Sequence, residues 1–300
     1  MSISSQSGHF GLGCAIATPV SASGAIDLPR LATHAKACLD GGCDNLTLFG
    51  TTGEGSSFGI APRQAAFAAL VAAGIAPAEK LLSGVIALSD EDAAAQAEAA
   101  LAAGCGGLLI APPSYFRAVD DDSVFAWFSR ILSPLAGRTK VYLYHIPSMT
   151  GVAVSPAVVG RLRTAFPGLV AGVKDSSGSW ENTAALLAQH RDLQILVGDE
   201  RHLAHAVREG GSGTICGVSN IAPQILLGPA KRGEEDPRIA PLIEAAFQHP
   251  IIPALKALIA CRYGDMAWLN TRAPLPPLTE AVARQLNTAV AQVLRQPVAA

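Results

Sequence analysis

Lys174 closes an apolar, β-prone run, Leu169-Val170-Ala171-Gly172-Val173, and the turn-forming residues Asp175-Ser176-Ser177-Gly178 follow it at once. That pattern sets an amine at the carboxyl end of a buried strand. An amine held out of water gives up its proton more readily and exposes a nucleophilic lone pair, the requirement for condensing with a ketone to an imine. Two plainer readings compete: a side chain that runs back to solvent along its aliphatic stem, or one paired with the adjacent Asp175. A second chemical pattern is Phe49-Gly50-Thr51-Thr52-Gly53-Glu54-Gly55. Its glycines let backbone N–H groups face an anion, with two hydroxyls between them, which suits a carboxylate or a phosphate. The lysine of a nucleotide-binding P-loop is missing. A tight turn with incidental threonines is the alternative. In Tyr142-Leu143-Tyr144-His145-Ile146-Pro147 alternation puts both tyrosines on one face. A phenol at Tyr144 suits proton relay, although an isolated tyrosine is more often a packed ring with a satisfied hydroxyl. Pro112 and Pro113 stiffen a loop that presents Tyr115. Asp199, His202 and His205 suggest metal ligation, but no acidic or histidine ligands recur at the other strand ends, so a solvated first helical turn is preferred.

These residues need a scaffold that gathers strand ends. Apolar strand candidates cover 14–18, 45–49, 81–86, 107–111, 140–144, 170–174, 194–198 and 213–217. Ala-rich helical stretches alternate with them, with Ser89 capping a helix over 90–102 and Ser155 capping one that begins at Pro156. Strand-then-helix units at this spacing predict an α/β fold, a (β/α)8 TIM barrel, whose chemistry lies at the carboxyl ends of the strands. A doubly wound open sheet is disfavoured because Gly11-Leu12-Gly13 precedes the first predicted strand instead of following it. Beyond Gly217 the chain reads as helices broken by prolines. The expected organisation is a catalytic barrel over 1–220 and a C-terminal helical extension over 221–300 packed on it.

Half of the 300 residues are hydrophobic and 15% are charged, which predicts a well-buried globular chain. The net charge of −2 gives no general attraction to nucleic acid or to an anionic membrane. No run reaches the roughly 18 apolar residues of a spanning helix, and residues 1–9 are polar with no signal-peptide core, so a cytoplasmic protein is expected. Six scattered cysteines with no Cys-x-x-Cys pair predict reduced, mostly buried thiols.

Taken together, Gly50-Thr51-Thr52-Gly53-Glu54, Tyr144 followed by Ile146-Pro147-Ser148 and Thr150-Gly151, and Gly172-Val173-Lys174 with Asp175-Ser176-Ser177-Gly178 resemble the pyruvate-dependent class I aldolases typified by dihydrodipicolinate synthase and N-acetylneuraminate lyase. The resemblance covers nearly the whole chain. It implies that Lys174 forms an imine with pyruvate or another 2-oxo acid. It implies that the backbone around Thr51 and Thr52 binds the substrate carboxylate, with Gly50, Gly53 and Ile215 as further substrate contacts. Tyr144 would carry the proton, and Thr51 and Tyr115 would complete its hydroxyl relay. Tyr115 would come from a neighbouring subunit, so a homodimer or homotetramer is implied, with no metal or cofactor beyond the lysine imine.

The sequence also departs from that pattern. Met149 stands where dihydrodipicolinate synthase has an arginine for the carboxylate of its aldehyde substrate, and a thioether forms no salt bridge. His145 replaces a usual Asn, and Arg117 offers a cation from another direction. Ile60, Ser114 and Leu88 replace a histidine, a tyrosine and an asparagine of the lysine-binding regulatory pocket, so feedback by lysine is not expected. The reading that follows is aldol cleavage, condensation or dehydration on a 2-oxo acid, with a deoxy sugar acid or an aromatic or apolar aldehyde adduct as partner. The alternatives are 4-hydroxy-tetrahydrodipicolinate synthase itself and a non-catalytic 2-oxo acid binding protein.

Overall fold

Eight short runs become parallel strands: β1 (Gly11–Ala15), β2 (Asn45–Leu48), β3 (Leu81–Val85), β4 (Gly107–Ile110), β5 (Val141–His145), β6 (Val170–Asp175), β7 (Gln194–Val197) and β8 (Gly213–Cys216). They pair in chain order, and β8 returns to β1 through Gly11↔Gly213 and Cys14↔Cys216, closing the barrel. The computed structural model describes residues 9–296; the polar stretch before His9 lies outside them.

Alternation along each strand builds two cores. Leu82, Leu109, Tyr142, Leu196 and Ile215 fill the barrel interior. Leu12, Leu46, Val85, Leu108 and Val173 point outward and pack under the helices. The helices start where their caps dictate. Ser89 accepts from the Asp92 N–H, and Ser155, followed by Pro156, accepts from the Val158 N–H. Asp120 and Ser179 cap Asp121–Leu132 and Trp180–Gln189 in the same way.

Two sequence expectations need correction. The first strand is Gly11–Ala15, three residues earlier than predicted, so Gly11-Leu12-Gly13 lies within it. Those glycines allow close approach of neighbouring groups. A Cβ on Gly13 would lie 2.8 Å from the Thr214 carbonyl oxygen and 2.9 Å from both Asn45 Oδ1 and the Phe10 ring. The helix expected after β7 divides into a 3-10 turn, Glu200–His202, and a short helix, Leu203–Arg208.

Beyond β8 come Leu227–Arg232, Ile239–Ala246, Ile251–Tyr263 and Glu280–Leu294. Ile251–Tyr263 is buried from Ile252 to Ala260. Among the described residues no single helix is long and apolar enough to cross a membrane; Ile239–Ala246 and Ile251–Tyr263 reach that length only as a pair bent by 104°. All six cysteines are free, and five are buried.

Candidate active site

Tyr144 and Lys174 are register partners on β5 and β6, so their side chains enter the barrel side by side at its carboxyl end. Lys174 Nζ donates to the Tyr144 hydroxyl at 3.2 Å, and Lys174 is only 5% exposed. The Tyr144 hydroxyl is 3.3 Å from Thr51 Oγ1. Either hydroxyl can donate in that second contact, and the two contacts together form a chain from amine to phenol to hydroxyl. Asp175 does not pair with Lys174. Its Oδ2 accepts from Thr183 Oγ1 at 2.7 Å and Asn182 Nδ2 at 3.0 Å, and its Oδ1 accepts from the Ser177 N–H. Tyr142 sits a layer lower and donates to Gln194 Oε1 at 2.6 Å, so only one of the two tyrosines belongs to the site. Burial pushes the Tyr142 phenol up to about 12.

The turn after β2 is the second half of the site. The Glu54 N–H donates to the Thr51 carbonyl and the Gly55 N–H to that of Gly50. Among the described residues nothing accepts the backbone N–H of Thr51 or Thr52. Both residues line the cavity. Free amides beside a buried amine suit a carboxylate. Phe49 and Glu54 bracket the turn in the left-handed region, with φ of 57° and 55°. Such a conformation costs a residue with a Cβ about 1–2 kcal/mol. A Cβ on Gly55 would fall 1.7 Å from the Phe49 carbonyl oxygen, so this position admits only glycine. Arg63, itself fully buried, donates to the carbonyls of Gly55, Phe58 and Gly84 and fastens the turn from below.

The cavity holds about 260 Å³, room for a small metabolite. Ile215 lines it, whereas Gly50 and Gly53 are not among the lining residues and Gly53 gives its carbonyl to Thr18. Tyr115 is 80% exposed, with φ 87°, and does not reach the cavity of its own chain. Arg117 packs against Gly151 and does not reach it either.

The cation at the mouth is instead Arg201, which the sequence reading missed. It clasps Asp199 through two bonds, Nε to Oδ1 at 2.9 Å and Nη2 to Oδ2 at 2.6 Å. Burial opposes ionisation of Asp199, but the bonds from Arg201 win and hold its carboxyl below the usual range. The neighbouring Glu200 is buried, accepts from the Val218 N–H, and burial pushes its carboxyl above the usual range. Met149 lies on the rim, 55% exposed. The facing wall is apolar: Ile243, Phe247 and Ile251 arrive from the C-terminal helices. No local pattern marks them, because they reach the site only through tertiary packing. His205 stacks on Trp180 at 3.8 Å, and among the described residues no group of His, Cys, Asp and Glu side chains is placed to hold a metal ion.

Comparison with known proteins agrees with this architecture. The model of the dihydrodipicolinate synthetase family matches residues 9–293. A crystal structure of dihydrodipicolinate synthase from Agrobacterium tumefaciens is 46% identical and superposes with a TM-score of 0.91, covering 95% of this chain and 100% of that one. A 4-hydroxy-tetrahydrodipicolinate synthase of Synechococcus sp. is 30% identical, with 94% of each chain covered. An uncharacterised DapA-like lyase of Chloroflexus aurantiacus is 28% identical over 95% of this chain and 97% of its own. The chain belongs to the dihydrodipicolinate synthetase family.

Proposed function

We propose that this chain is a class I, Schiff-base lyase acting on pyruvate or another 2-oxo acid. The observation that carries the reading is the contact of Lys174 Nζ with the Tyr144 hydroxyl at the base of a cavity whose other wall is the Thr51-Thr52 turn. The substrate carboxylate takes the free amides of that turn, which sets its ketone carbon beside the amine. The amine attacks that carbon, and loss of water leaves a protonated imine. The imine withdraws electrons from the adjacent carbon, so a proton leaves it and an enamine forms, or a carbon–carbon bond to it breaks with the same electron flow. Tyr144, in contact with both Lys174 and Thr51, is placed to carry the protons. The covalent lysine supplies the electron sink, so the reading needs no resident cofactor.

The partner substrate is an aldehyde, or the adduct of one, without a carboxylate at the position facing Met149. The apolar wall of Ile243, Phe247 and Ile251 favours an apolar or aromatic group, or the carbon chain of a deoxy sugar acid. The 46% identity to the Agrobacterium synthase favours a second reading, condensation of pyruvate with aspartate semialdehyde. Coupled turnover of that pair separates the two. Exposure of Tyr115 and Phe116 on one loop supports a second copy covering them, with Tyr115 completing the neighbour's relay.

Borohydride added with pyruvate should fix a three-carbon adduct on Lys174, located by peptide mass, and Lys174→Ala should lose both the adduct and turnover. Binding of pyruvate with no adduct would overturn the reading in favour of a non-catalytic binding protein.

A further inference from the structure

Glu54 and Lys256 are 202 residues apart in sequence, and their side chains meet with no exposure to solvent. Lys256 Nζ donates to Glu54 Oε1 and, at 2.8 Å, to the Asn270 carbonyl oxygen. The other carboxylate oxygen, Oε2, accepts from the Arg272 N–H at 2.8 Å. Both oxygens of one carboxylate are therefore used to join the turn after β2, the Ile251–Tyr263 helix and the loop over 270–272. Burying two charges is costly, and an apolar pair of equal volume would pack at least as firmly. An ion pair of this kind contributes direction. Burial lowers the Lys256 ammonium from its ordinary range while Glu54 pulls it back.

What is held in place is the stretch that bears the free amides. Glu54 lies two residues from Thr52 and keeps a left-handed backbone at φ 55°. A non-glycine residue stays there only when its surroundings over-determine it. The helix that carries Lys256 begins at Ile251, which lines the cavity. Neither Glu54 nor Lys256 is part of the cavity wall.

We infer that the Glu54–Lys256 pair is a positioning device: it fixes the Thr51-Thr52 turn in its anion-accepting conformation and makes carboxylate affinity depend on the seating of the C-terminal helices. The inference rests on the 2-oxo acid reading of the site. Both residues act through the turn and contact no substrate.

The test is the double variant Glu54→Gln/Lys256→Met, which removes both charges and strands neither, with pyruvate titrated against borohydride trapping at Lys174. The half-saturating pyruvate concentration should rise ~10-fold or more while the maximal extent of trapping stays that of the unaltered protein. A purely architectural pair would give the opposite split: fewer trappable molecules and a lower melting temperature at an unchanged half-saturation. A half-saturation within about twofold of the unaltered protein overturns the inference. Should the double variant fail to fold, Glu54→Gln alone, which keeps one acceptor oxygen, must show the same direction of change or the inference fails. If the unaltered protein is not trapped at all, the lyase reading falls by itself. Calorimetric binding of pyruvate to the same variants then decides this one, by the same ~10-fold weakening or its absence.

Discussion

Lys174 and Asp175 are neighbours in sequence and face opposite sides of the barrel wall. The amine enters the cavity toward Tyr144, and the carboxylate turns outward to Thr183, Asn182 and the Ser177 N–H. Among the described residues no carboxylate lies within ion-pair distance of Lys174 Nζ. Strand alternation enforces this separation. Asp175 is therefore a strut between β6 and the Trp180–Gln189 helix, not a counter-ion. Asp175→Asn should destabilise the fold by about 1.5–3 kcal/mol, the range for hydrogen bonds to a charged group, because the new amide meets Asn182 as donor against donor. Urea denaturation reads the loss. Trapping at Lys174 should keep its pH profile, and a displaced profile would restore the counter-ion reading.

Tyr144 touches both the amine and Thr51, so it should matter to proton transfer more than to imine formation. Tyr144→Phe should lower kcat/KM by ~10²–10⁴, the usual contribution of a positioned acid or base, while pyruvate is still trapped at Lys174. Thr51→Val, which removes only the far end of the chain, should cost less. Exchange of the pyruvate methyl protons into deuterated water isolates the step. Wild-type exchange in Tyr144→Phe would remove the phenol from the mechanism.

Much of this arrangement was legible because the barrel writes its site at strand ends. Lys174, Tyr144, Thr51 and Thr52 each follow an apolar β-prone run, and local pattern located all four. Gly50 and Gly53 belong to the same turn but do not line the cavity, since sequence gives a turn's composition and not the direction it faces. Gly11 and Gly13 fall outside the predicted first strand because glycine carries no strand signal, although here both lie within it. Arg201 carries no mark of its own in the sequence, because its role depends on Asp199 two residues away and on a wall that forms only when the barrel closes. Phe247 and Ile251 carry no local mark at all. They come from helices whose apolar faces are long enough to read as core.

His145 adds a pH dependence at the same strand end. Its Nδ1 accepts the Val154 N–H at 2.9 Å, which requires the unprotonated ring nitrogen. Burial pushes its pKa down, against the opposing pull of Asp175. With the folded value below the unfolded one, the contribution to stability is present above the unfolded value of about 6.5 and is lost as the pH falls through the folded value. The 146–154 segment, which carries Ile146, Ser148 and Met149 of the cavity wall, should loosen in that window. The melting temperature should fall as the pH drops below about 6.5, and His145→Asn should flatten that slope. An equal slope in the variant would assign the acid loss to other groups.

Met149 sits on the rim with 55% of its surface exposed, so a longer polar side chain fits there without disturbing the core. The thioether offers nothing to a carboxylate, whereas a guanidinium at this position would face the cavity mouth beside Ser148. The cation already present, Arg201, is occupied on two nitrogens by Asp199 and is a poor substitute. Met149→Arg should therefore raise kcat/KM for a carboxylate-bearing aldehyde relative to its uncharged analogue by ~10–100-fold, equivalent to one charge-assisted hydrogen bond of about 1.5–3 kcal/mol. Imine formation with pyruvate, which takes place at Lys174 beside the Thr51-Thr52 turn, should be unchanged. Competition between aspartate semialdehyde and an aromatic aldehyde in one reaction mixture gives the ratio directly. If the unaltered protein already prefers the charged aldehyde and Met149→Arg leaves the preference where it was, the carboxylate is being held elsewhere, and Arg201 released from Asp199 is the group to change next.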